Sequence, residues 1–401
     1  MDVIPDVVNA EDSLIGVPLP KIKVVGLGGG GCNAVNRMIE YGMKGVEFIA
    51  CNTDKQALAS SHAKVKVHLG PKCTRGLGAG GIPSIGERSA EESFQKLADV
   101  LDGADMVFLT AGLGGGTGTG AIPVAARISK TLGALTIAVV TTPFTFEMGQ
   151  RQRNAAMGLQ KLRCHTDTLI IVPNDRLLEI APHDLPLEMA FKLADDVLRQ
   201  GVSAISELLT ETGLINVDFA HIRHVMSLGG GALMSIGTGE GEDKAMKALN
   251  QALHHPLLDD IEIDTASGII ANFSGGDDLT FTEVADTMTH LHQEAGKETE
   301  IIPGVISNTN LNDRVQVILI VTGLGALPIE QAIPGAEKYI AEHPVRINEN
   351  RFNRETHRSH DPHRIEEPQV QSKAYSLSQP HSAMITADLD VPAFLRKRIR
   401  G

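Results

Sequence analysis

Two stretches of this chain have the composition to hold an anion with main chain alone. Residues 26–31 read GLGGGG and residues 112–120 read GLGGGTGTG. Each follows an apolar run (KIKVVGLG, ADMVFLTAG) and each runs into a helix-like pattern (CNAVNRMIEYG, TGAIPVAARISKTLG). Glycine lets the backbone approach a ligand closely, and the N–H groups opening the following helix then point at phosphate oxygens. The first stretch fits GxGxxG through Gly26, Gly28 and Gly31, and Asp54 follows about where a dinucleotide site has its ribose-binding acid. Neither loop contains the lysine that GxxxxGK[ST] requires. Backbone dipoles, threonine hydroxyls and a magnesium ion would therefore have to handle a triphosphate. One such loop alone is as readily a tight strand–helix turn. Two on one sheet point to a single nucleotide held from both sides.

The elements that would position these loops are strands alternating with helices. VEFIACNTD, LTIAVVTTPF and TLIIVPND read as further buried strands, and SIGERSAEESFQKLADVLDG as a helix. Nearly continuous apolar strands separated by helices predict a parallel sheet covered on both faces. Residues 188–212 carry the longest helical pattern, with Ala194, Val197, Leu198, Ile205, Leu208 and Leu209 in register and Gly213 as the stop. A second alternating region has strands at GIIANFSGG and VQVILIVTGLG. The expected layout is a flexible arm over 1–20, a nucleotide-binding domain over 21–187, a central helix over 188–212, a loop over 213–221 and a smaller α/β domain over 222–327. Residues 328–384 are polar and rich in His, Arg, Glu and Pro, which predicts a disordered linker. In 385–401, Val391, Phe394, Leu395 and Ile399 share one helical face, and Asp390 can cap it. A short helix on a tether reads as a partner-binding peptide, Asp388 to Arg398.

Composition narrows the function classes. The 401 residues carry 36 Lys and Arg against 49 Asp and Glu, a net charge of -13, and aromatics are 3%. A nucleic-acid coat and a base-stacking platform are both disfavoured. The four cysteines have no CxxC spacing, so a reducing cytoplasm is expected and a zinc site is not. No apolar stretch reaches the ~18 residues of a membrane span.

With these residues in view, the chain resembles the FtsZ family, the bacterial cell-division GTPases of the tubulin superfamily. GGGTGTG (114–120) matches the tubulin signature. VVGLGGGGCNAVNRM, NTD (52–54), GLGAGG (76–81), TTPFTFEMGQR (141–151), IVPND (171–175), NVDFA (216–220), HPLLDDI (255–261) and the tail LDVPAFLRK (389–397) extend the match. The resemblance implies an α/β fold of tubulin type, in which a Rossmann-like GTPase domain is joined by a long central helix to the smaller domain. It implies GTP and GDP as ligands with Mg2+, head-to-tail filaments of this chain, and a division ring at mid-cell. It also implies adaptor and regulator proteins that bind the C-terminal peptide.

Carried over residue by residue, it implies nucleotide contacts from Gly28, Gly29, Gly30, Asn33 and Asn52, and a cradle for the β- and γ-phosphates from Gly114, Gly115, Gly116, Thr117, Gly118 and Thr119. Glu147 and Arg151 would meet the ribose and phosphate side. Asn174, Phe191 and Asp195 would recognise guanine. An aromatic can stack on the base, and a carboxylate can accept from the guanine N1–H and N2–H2, which adenine does not offer. From the residues alone, Phe191 reads as core and Asn174 as a turn after Pro173. The resemblance further implies that Asn216, Asp218 and position 221 complete the pocket of the next subunit and orient the attacking water, a reaction that works by positioning.

One position departs from the family. Three residues after Asp218, where a second carboxylate is usual, this chain has His221. In tubulin the corresponding position distinguishes an acidic, hydrolysing interface from a basic, non-hydrolysing one. Two other readings stay open on sequence: a filament that binds GTP but hydrolyses it poorly, and a Rossmann oxidoreductase using only the first loop.

Overall fold

The computed structural model describes residues 19–147, 149–182, 184–210, 217–228, 231–258, 263–308, 311–324 and 333. Asn216, the peptide 385–401 and nearly all of the arm and the linker lie outside the described residues.

Apolar runs become strands and the segments between them become helices, in the order β1 (Ile22–Leu27), α1 (Gly28–Tyr41), β2 (Val46–Asn52), α2 (Lys55–Ala59), β3 (Val65–His68), α3 (Pro71–Thr74), α4 (Pro83–Glu92), α5 (Phe94–Leu101), β4 (Met106–Gly112), α6 (Thr117–Thr131), β5 (Leu135–Thr142), α7 (Gln150–Leu162), β6 (Thr168–Pro173) and α8 (Asn174–Ile180). Then follow α9 (Leu187–Thr210), α10 (Phe219–Met226), β7 (Gly231–Glu240), α11 (Lys244–Leu253), β8 (Gly268–Gly275), α12 (Phe281–Glu294), β9 (Glu300–Ser307) and β10 (Arg314–Thr322). The strands lie in the order β3-β2-β1-β4-β5-β6-β7-β10-β8-β9. Pairing is parallel from β3 to β7, antiparallel on both sides of β10, and parallel again between β8 and β9.

Strand periodicity divides the core by face. On β4, Met106 and Phe108 enter one cluster, while Val107, Leu109 and Ala111 enter the other. The central helix α9 presents Ala194, Val197, Leu198, Val202, Ile205, Leu208 and Leu209 to the first cluster, at the three- and four-residue spacing of an amphipathic stripe. Ile318 and Ile320 of β10 join the same cluster. Thus α9 is buried against both the parallel strands and the antiparallel ones, and each fully buried aliphatic side chain contributes about 1.5–3 kcal/mol.

Three details differ from the sequence expectation. The helix read over 84–103 breaks at Ser93, whose hydroxyl accepts the Gly70 N–H at 3.0 Å. Among the described residues the second region has four strands, β7 and β9 beyond the two expected: β7 is dilute in apolar residues and β9 contains Pro303 and Gly304. Proline is tolerated there because β9 is the sheet's last strand. Gly304 lets Leu208 of α9 pack directly on β9, where a Cβ would lie 2.0 Å from its Cδ2.

Candidate functional site

The order 3-2-1-4 places β1 beside β4, where chain direction along the sheet reverses, and a parallel sheet offers its ligand crevice beyond the strand ends at such a point. Both glycine loops leave the sheet there, β1 running into α1 and β4 through 113–116 into α6. They stack backbone on backbone. Gly28 has φ +72°, and a Cβ on it would lie 2.7 Å from Gly118 N. A Cβ on Gly31 would lie 2.3 Å from the Thr110 carbonyl oxygen. These glycines are explained by packing. Gly29 and Gly115 are not: each has ordinary negative φ, and a Cβ would meet nothing within 4 Å. They face a cleft of about 410 Å3.

Of the residues expected at the nucleotide, the cleft is lined by Gly29, Gly30, Asn33, Gly115, Gly116, Thr117, Gly118, Glu147, Arg151, Asn174, Phe191 and Asp195. Gly28, Asn52, Gly114 and Thr119 are not in this lining. The Thr119 hydroxyl accepts the Gly114 N–H at 2.9 Å, so these two residues brace the loop from within. Asn52 is buried and its side-chain oxygen accepts the Asp54 N–H at 3.2 Å.

The side chains on the cleft wall have definite partners. Glu147 pairs with Arg151 in the first turn of α7 and also accepts the Phe144 N–H at 3.0 Å. The Asp195 carboxylate lies 3.1 Å from Arg37 Nε, and burial pushes its pKa up to about 6, with Arg37 opposing. Phe191 is 40% exposed, its edge against buried Phe144 at 5.4 Å, so it is a lip of the cleft and not core. Asn174 opens α8 and is only 5% exposed, yet its Oδ1 has no hydrogen-bond partner among the described residues. A buried amide oxygen left unpaired costs free energy unless a ligand or water meets it.

Two residues the sequence did not single out hold this arrangement. Asn154 of α7 is buried and donates through Nδ2 to Gly114 O and to Gly81 O, each at 3.0 Å, tying the second glycine loop to the 76–81 loop. The Thr53 hydroxyl meets the Thr117 hydroxyl at 2.5 Å. Conversely, Asp54 is no ribose acid. Its carboxylate caps α2, accepting Gln56 N–H at 2.8 Å and Ala57 N–H at 3.1 Å. The dinucleotide alternative loses its second element.

Asp218 and His221 do not line the cleft of their own chain. Asp218 caps α10 by accepting the His221 N–H at 2.6 Å. Asp195 and Thr210, the far end of α9, are 15 positions apart, roughly 22 Å at 1.5 Å per residue. The His221 ring points to Glu300 of β9, a carboxylate that nothing in the local sequence flags.

Comparison with known proteins agrees with this architecture. Residues 21–182 match the model of the Tubulin/FtsZ family, GTPase domain, and residues 230–325 match that of the FtsZ family, C-terminal domain. An empty FtsZ dimer from M. jannaschii superposes with TM-score 0.75 at 44% identity, covering 79% of this chain and 93% of that one. The chain belongs to the FtsZ family. A tryptophan-to-tyrosine point mutant of FtsZ from M. jannaschii gives TM-score 0.74 at 46% identity over 76% of this chain and 91% of that one. CetZ2 from Haloferax volcanii, solved as a GTPgS-bound protofilament, shares the fold with TM-score 0.68 at 20% identity, over 80% of this chain and 99% of that one. Residues 21–182 are accordingly the GTPase domain of an FtsZ-family protein, and guanine nucleotide is its ligand class. Among the described residues, no helix is long and apolar enough to cross a membrane.

Proposed function

We propose that this chain polymerises head to tail into the filaments of a cytokinetic ring in the cytoplasm at mid-cell, and hydrolyses GTP at sites shared by adjacent subunits. The observation that carries the reading is the separation of the two halves of the machinery along α9. The glycine cleft, Phe191 and Asp195 stand where the parallel strands end, whereas α10, which Asp218 caps and which carries His221, meets their opposite ends: Arg223 donates to Gly133 O just before β5, and Met226 O accepts from the hydroxyl of Thr168, the first residue of β6. One chain cannot bring them together, whereas a copy stacked end to end can.

In this reading Gly29, Gly30, Gly115, Gly116, Thr117 and Gly118 cradle the phosphates, and Gly29 and Gly115 leave room where any side chain would intrude. Gly28, Asn52, Gly114 and Thr119 hold the loops in shape. Asn33, Glu147 and Arg151 meet the ribose and phosphate side. Asn174 supplies its unpaired amide oxygen to the nucleoside, Phe191 stacks on the base, and Asp195 accepts from guanine N1–H and N2–H2. Asn216 and Asp218 of the next subunit orient the water. Mg2+ would arrive with the nucleotide, held by phosphate oxygens and water. Among the described residues no three His, Cys, Asp or Glu side chains are grouped to cage a metal, and the cleft carboxylates Glu147 and Asp195 are each engaged by an arginine. The peptide Asp388 to Arg398 would recruit adaptor and regulator proteins.

A second reading, a filament that binds GTP but turns it over slowly, is kept by one observation: an imidazole stands at position 221. Light scattering with simultaneous phosphate release tests both. Scattering should rise on adding GTP, stay flat with GDP, and decay as phosphate appears. Equal scattering with GDP contradicts nucleotide-driven assembly, and persistent scattering without phosphate selects the slow filament.

A further inference from the structure

His221 Nε2 lies 2.6 Å from Glu300 Oε1, and the other carboxylate oxygen lies 3.4 Å from His224 Nε2. The groups come from two elements, α10 and the first residue of β9. All three side chains are substantially solvent-exposed, with 49% for His221. Exposed ion pairs contribute little to stability, so stability is a poor reason for this one. Its geometry does have a chemical consequence. The hydrogen bond made by one imidazole nitrogen fixes the tautomer and so decides what the other nitrogen can do. On the same element, the capping residue Asp218 accepts the His221 amide N–H, and Arg223 donates to Gly133 O at 3.0 Å.

Building on the shared-site reading above, we propose that Glu300 is a positioning residue for GTP hydrolysis. It accepts the Nε2–H of His221 and leaves Nδ1 bare, as the acceptor that orients the attacking water in the neighbouring subunit's site. The carboxylate absent from position 221 is thus supplied at one remove. In the step served, the water oxygen bonds the γ-phosphorus and the bond to the β–γ bridging oxygen breaks, its electron pair staying on GDP. Both water hydrogens leave on dihydrogen phosphate. Neutral imidazole accepts one hydrogen bond where a carboxylate accepts several, so the ring works only when held in one orientation.

The test is phosphate release per polymerised subunit at saturating GTP, with polymer measured by sedimentation. Glu300→Ala should lower kcat roughly ten- to a hundredfold, the cost of misplacing a reacting group by up to about 1 Å, with KM for GTP and the critical concentration unchanged. Glu300→Gln, whose amide oxygen still accepts Nε2–H, should restore most of the rate. In a His221→Asp background, Glu300→Ala should cost nothing further. Unchanged kcat in Glu300→Ala, the same fall with Asp at 221, or a fall that only tracks lost polymer would each overturn the proposal. Asp218→Ala run alongside separates the two levels. If it retains full turnover, the shared-site reading itself is wrong. If it abolishes turnover while Glu300→Ala does not, only the role of Glu300 is wrong.

Discussion

Arg37 Nε stands 3.1 Å from the Asp195 carboxylate, so α1, which follows the first glycine loop, and α9, which carries Phe191 and Asp195, are joined by an ion pair at the cleft wall. The pair does not fully offset burial, because the Asp195 pKa is raised to about 6. A raised carboxylate pKa favours the folded state fully below its ordinary value, and that contribution disappears as pH climbs through about 6. At pH 7 the nucleotide-free protein therefore holds a buried charge at a cost. Asp195→Asn should stabilise the free protein at pH 7 by on the order of 1–3 kcal/mol, with the gain shrinking below pH 6 in urea titrations. The same change should weaken GTP binding at least roughly tenfold and erase its advantage over the inosine nucleotide, which lacks the N2 amino group. In the unaltered protein, GTP affinity should fall as pH drops through 6.

Gly29 and Gly31 should part company on substitution. Gly29→Ala meets no protein atom, so it should leave stability unchanged or raise it by about 0.5–1 kcal/mol, yet cut GTP affinity at least about tenfold by filling phosphate space. Gly31→Ala drives a Cβ to 2.3 Å from Thr110 O and should cost roughly 2–4 kcal/mol. Thermal melts paired with fluorescent-nucleotide titration read both effects.

Asn154 predicts a coupled loss. Asn154→Ala leaves the Gly81 and Gly114 carbonyls without their donor and should cost about 1–3 kcal/mol. Asn154→Asp should be worse, since a carboxylate cannot donate and would face two carbonyl oxygens. Both should weaken GTP binding without touching the nucleotide, measured by equilibrium binding on protein confirmed as folded.

These cases mark what could be read from sequence. The glycine loops, the alternation of strand and helix and the central helix were legible because composition and periodicity are local. The break at Ser93, the close packing at Gly304 and the brace at Asn154 were not, because each involves a partner distant in sequence: Gly70, Leu208 and the Gly114 and Gly81 carbonyls. Phe191 looked like core because the helix around it is apolar, and only its place beside Phe144 puts it at the lip. Asp54 looked like a ligand because spacing alone cannot tell a ribose acid from a helix cap. Glu300 was invisible for a similar reason: it lies 79 residues from the histidine it meets.

The C-terminal peptide should be separable from assembly. Deleting 385–401 should leave GTP-driven filaments in sedimentation assays and abolish capture by a membrane-tethering adaptor. Loss of polymer on truncation would assign the segment to the filament itself.

The central claim is that each GTPase site is completed by a second copy. Specific GTPase activity measured across protein concentration tests it most directly. The account predicts turnover per subunit near zero when dilute, rising steeply above the concentration at which polymer first sediments. Constant turnover per subunit down to the most dilute samples would contradict it.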